Sequence, residues 1–63
     1  MQFKLGQRVN VDGYGDGRVC HIDKFWAIVA IEFDEPYGDH NLRKRAFAEE
    51  WLPERCRMLD ASA

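Results

Sequence analysis

The run Phe25-Trp26-Ala27-Ile28-Val29-Ala30-Ile31-Glu32-Phe33 leaves this chain little choice of fold. Its aromatic and β-branched residues, uninterrupted by glycine or proline, favour a strand. Branched side chains lose rotamer freedom against a helical turn and pack well on a pleated surface. Successive side chains of a strand point to opposite faces. Ala27, Val29, Ile31 and Phe33 are therefore expected on one face, and Trp26, Ile28, Ala30 and Glu32 on the other.

Shorter runs supply partner strands. Gly6 opens a segment in which Val9 and Val11 alternate with Arg8, Asn10 and Asp12, the period of a half-buried strand. Gly13-Tyr14-Gly15-Asp16-Gly17 then reads as a turn, because glycine accepts positive φ. Arg18–Asp23 is the second strand, and the odd spacing of Val19 and Ile22 predicts a bulge. Asp23-Lys24 is a short hairpin connection, and Asp34–Asp39 a loop built on Pro36 and Gly38. His40–Arg43 predicts a polar edge strand. Phe47, Trp51 and Leu52 fall at helical spacing, so Ala46–Leu52 predicts one or two helical turns, 3₁₀ near their end, stopped by Pro53. Arg55–Leu59 alternates again as the last strand, and residues 60–63 read as a frayed tail. Val9, Val11, Val19, Ile22, Val29, Ile31, Phe33 and Met58 take the inward positions of one core.

Length and charge narrow the class. Sixty-three residues make one domain, near the lower limit for folding on a single apolar core. Nine basic and eleven acidic residues give a net charge of -2, whereas tight nucleic-acid binding draws on a basic excess. No apolar run approaches the roughly 18–20 residues of a membrane span. Met1-Gln2-Phe3-Lys4 leads straight into polar sequence, which predicts a cytoplasmic chain. Cys20 and Cys56 are then expected as reduced, buried small hydrophobes.

This order resembles an SH3-like barrel: all-β, five short strands, a glycine-rich first turn and a helical turn before the last strand. The resemblance spans Leu5–Leu59 within a single domain of residues 1–63. Gly6-Gln7-Arg8-Val9, followed by Gly13 to Val19, is similar to the opening of Tudor-like and KOW-like barrels. Ile31 to Gly38 resembles the segment of CAP-Gly domains that precedes their peptide-binding motif, but Gly38-Asp39-His40-Asn41-Leu42 departs from that motif. The Val-Gln-Ile-Tyr run of type II dihydrofolate reductases, tiny SH3-like barrels active as tetramers, is missing. A superfold does not carry function by itself.

The candidate sites follow from side-chain chemistry. The leading expectation is a protein-binding module, an adaptor or inhibitor, acting through Tyr14, Trp26 and Tyr37. Tyr14 and Tyr37 sit beside glycines that leave them projecting, with Asp16, Glu35 and Asp39 as an acidic rim suited to a basic partner. Tyr14, Trp26, Phe33 and Tyr37 are also the aromatics that would form a Tudor-like cage for a methylated cation. Trp26 and Ile28, apolar on the face away from the core, predict self-association. The alternative is nucleic-acid binding through Arg43, Lys44, Arg45, Arg55 and Arg57. Cys20, His21, Asp23, His40 and Cys56 match no zinc spacing, so no metal or cofactor is expected. No serine–histidine–acid set is available, and an oligomeric enzyme ranks last.

Overall fold

Alternation in the sequence becomes alternation of burial along the first three of five antiparallel strands, while the fourth buries Phe47 alone. The five are β1 (Arg8–Val11), β2 (Gly15–Asp23), β3 (Ile28–Tyr37), β4 (Leu42–Ala48) and β5 (Cys56–Met58). The computed structural model describes residues 3–38 and 41–59, so Asp39, His40 and the tail at 60–63 lie outside it. The strands form one sheet in the order β4-β3-β2-β1-β5. β4 and β5 are its outer strands, with no ladder between them among the described residues, so the sheet is open where a closed barrel was expected. β5 is three residues long and pairs with β1.

The inner face carries the core. Val9 and Val11 of β1 stand opposite Gly17 and Gly15 on one side, and Met58 and Cys56 on the other. Val19 pairs with Ile31, and Val29 with Phe47. Of the expected core, Val9, Val11, Val19, Val29, Ile31 and Phe33 are fully buried, whereas Ile22 and Met58 are half-buried at its margin. Phe3, Phe47, Leu52 and Cys56 complete it. Each large apolar side chain so buried contributes about 1.5–3 kcal/mol relative to exposure. Gly17 is required where it stands. A Cβ there would lie 2.8 Å from the Glu32 carbonyl oxygen and 2.9 Å from side-chain atoms of Ile31 and Phe33.

The β2–β3 register shifts between Val19 and His21, the expected bulge. It leaves Cys20 exposed, its thiol donating to the Ala30 carbonyl at 3.6 Å, which corrects the expectation that both cysteines are buried. Cys56 is buried, and that burial pushes its thiol pKa up. β1 separates the strands that carry the two thiols, and both are free.

The helix expected over Ala46–Leu52 is not formed. β4 runs on to Ala48 because Phe47 gains a core position opposite Val29, which outweighs the helical preference of its alanine neighbours. The helical turn is a 3₁₀ turn at Leu52–Glu54, and Pro53 lies in its opening positions rather than ending it. The third strand is also displaced along the chain. Lys24–Ala27 is a turn, and β3 runs through Pro36 to Tyr37. A second register shift, between Glu32 and Tyr37, removes the regular ladder there, so proline is tolerated. Among the described residues, no helix is long and apolar enough to cross a membrane.

Candidate functional site

Aromatic side chains gather at two places, and β3 connects them. Just before the start of β2 and at the end of β3, Tyr14 and Tyr37 stand edge to face at 5.0 Å, so the two tyrosines do meet. Their surroundings differ from those of projecting side chains. Tyr14 stacks on Phe33 at 5.4 Å and meets the edge of Phe47 at 5.2 Å, and Phe47 stacks on Trp51 at 5.2 Å. The Tyr37 hydroxyl donates to the Lys44 carbonyl at 2.9 Å. Both tyrosines are half-buried and packed on the core. The expected projection fails because their glycine neighbours let the chain fold the rings inward over Phe33.

Arginines close this cluster. Arg45 faces inward from β4, its guanidinium 5.6 Å from the Tyr14 ring centre and 5.8 Å from that of Phe47. Arg55 lies 4.5 Å over Trp51 and donates to that residue's carbonyl at 3.0 Å. The place where a cage would hold a foreign cation is thus occupied by the chain's own guanidinium. Tyr14 also borders an open cleft of about 420 Å³ with Gly15, Asp16, Asp34 and Glu35. Two of its three carboxylates are engaged. Asp16 accepts from the Asn10 amide at 2.8 Å. Asp34 is paired to Arg8, whose Nη1 donates at 2.8 Å and whose Nη2 reaches the second oxygen. The Arg8 hydrogen bonds hold the Asp34 pKa below the ordinary carboxylate value, and the same bonds raise that of Arg8.

Trp26 is not part of that cluster. It lies before the start of β3, in the Lys24–Ala27 turn, beside Phe25. The two rings meet edge to face at 4.8 Å. They are exposed, Phe25 at 83% and Trp26 at 68%. A built turn presents them. The Asp23 carboxylate accepts the amides of Phe25 and Trp26 at 3.0 and 3.1 Å, the side-chain-capped turn that aspartate favours. Ala27 completes it with φ of 55°, an unusual conformation for a residue with a Cβ. The Ala27 carbonyl then accepts the Glu49 amide at 2.8 Å and ties the tip to the end of β4. Beside Trp26 runs an open groove of about 410 Å³ lined by Ala27, Ala48, Glu49, Glu50 and Pro53.

Of the five basic residues of the alternative site, Arg43, Lys44 and Arg45 lie on β4 and Arg55 and Arg57 lie around β5, and Arg45 and Arg55 meet the same Phe47–Trp51 stack. Among the described residues, no three histidine, cysteine, aspartate or glutamate side chains are close enough together to hold a metal ion. The sequence reading missed Phe25 and the groove because it placed Phe25 inside the third strand. The legible signal was Asp23, whose carboxylate can cap the two amides that a turn leaves free. Compared with protein-family models, curated proteins and solved structures, the chain matches none.

Proposed function

We propose that this chain is a protein-binding module whose contact surface is the hairpin tip bearing Phe25 and Trp26. The observation that carries the reading is their exposure on a turn fixed by Asp23. Two large aromatic rings left in water cost free energy that burial against a partner recovers, and tryptophan is among the residues that dominate such contacts. A fixed turn loses little entropy on binding. Five antiparallel strands with a 3₁₀ turn before the last support reading the fold as an SH3-like sheet in open form. Two free cysteines support a cytoplasmic setting. Nucleic-acid binding draws less support, because Arg45 and Arg55 already cover aromatic rings and the net charge is -2.

The test is affinity capture from native extract, with and without nuclease, using the wild-type chain and a Phe25→Ser/Trp26→Ser variant. A nuclease-resistant protein partner that the variant loses is the expected result. A partner retained by the variant, or released by nuclease, defeats the reading.

A further inference from the structure

We infer that the groove beside Trp26 docks a partner segment in which bulky apolar residues are flanked by lysine or arginine; this rests on the tip being a protein contact. The groove is lined by apolar Trp26, Ala27, Ala48 and Pro53 and by acidic Glu49 and Glu50. Among the described residues, neither glutamate is joined in an ion pair. An apolar side chain seated in the groove brings its neighbours to the two carboxylates, where a cation is attracted and an anion repelled.

Charge also argues against a second copy of this chain. A twofold contact through the same groove sets Glu49 and Glu50 of one protomer against the same pair of its partner. Antiparallel pairing of two β4 edges gathers Arg43, Lys44 and Arg45 of both protomers at one axis. Like charges so placed oppose association, and a basic foreign segment meets no such obstacle at the groove.

The probe is the amidated peptide Lys-Lys-Leu-Leu-Lys-Lys, titrated into isotope-labelled full-length chain and followed by amide and indole chemical shifts. Its counterpart is Glu-Glu-Leu-Leu-Glu-Glu. Saturable shifts confined to Trp26, Ala27, Ala48, Glu49 and Glu50 are expected with the lysine peptide. The exposed Glu50→Lys substitution should weaken that binding at least tenfold and Glu50→Gln by less. Glu35→Lys, an equal charge change at the far end of β3, should leave it within twofold. Equal binding of the glutamate peptide, equal weakening by Glu35→Lys, or shifts elsewhere overturn the inference. So do concentration-dependent shifts at the same residues without peptide, which make a second copy the occupant. These failures leave intact the dependence of captured partners on Phe25 and Trp26, so they are distinct from failure of the parent reading.

Discussion

The inner face of the sheet and the tip before β3 handle aromatic side chains in opposite ways. On the inner face Tyr14, Phe33, Tyr37, Phe47 and Trp51 pack ring against ring, from the end of β3 across to Phe47 opposite Val29, with Arg45 and Arg55 over them. At the tip, Phe25 and Trp26 pack mainly on each other and face water. The first arrangement supplies stability that so small a core lacks, since each aromatic pair adds about 0.5–1.5 kcal/mol beyond its buried area. The second adds little to stability and is held in place by backbone hydrogen bonds to Asp23 rather than by packing. Composition alone does not separate the two. What separates them is whether an inward strand position lies within reach of the loop that carries the ring.

Substitutions can break this contrast, beginning with the largest effect. Phe33→Ala removes the ring on which Tyr14 stacks and should cost about 3–5 kcal/mol. That equals the stability a domain of this size draws from its core, so the variant should be unfolded by circular dichroism at room temperature. Tyr14→Ser should cost about 1–3 kcal/mol, read as a lowered urea midpoint. A Tyr14→Ser variant as stable as wild type would mean that the cluster is a surface feature like the tip. Phe25→Ser and Trp26→Ser should each change stability by less than about 0.5 kcal/mol, because exposed side chains contribute little to folding. A larger loss in thermal melts would make the tip a packing element and erase the contrast.

The smallest effect concerns pH. Arg8 lowers the Asp34 pKa, so the pair's contribution is complete above the unfolded value of about 4 and is lost as pH falls through the lower, folded value. Both side chains are exposed to solvent, and added salt should shrink the contribution. Asp34→Asn should flatten the acid limb of the stability profile in denaturant titrations, while leaving the environment of Trp26 unchanged.

Much of the sheet was legible in the sequence because strand periodicity is local. The alternation of Val9 with Val11 and of Val29 with Ile31 and Phe33 needs no tertiary information, and the spacing of Val19 and Ile22 disclosed the bulge. Phe47 was not legible. Its helical spacing from Trp51 competes with pairing opposite Val29, and only the folded sheet decides between them. Phe3 was missed because nothing in the lead-in segment marks its burial. The candidate site divided in the same way. Aromatics beside turns were visible, but which rings fold back over the core depends on contacts far apart in sequence. Asp39, part of the expected acidic rim, lies outside the described residues.

The bulge at Cys20 acts as a phase shifter for the hairpin beyond it. On its near side Val19 points inward and its neighbour outward; past the extra residue the count restarts, and Ile22 points inward again. Removing one residue there advances the hairpin by half a pleat relative to the sheet. The lever that aims Phe25 and Trp26 therefore lies several residues from either ring, at a solvent-exposed cysteine whose own side chain is no part of the core.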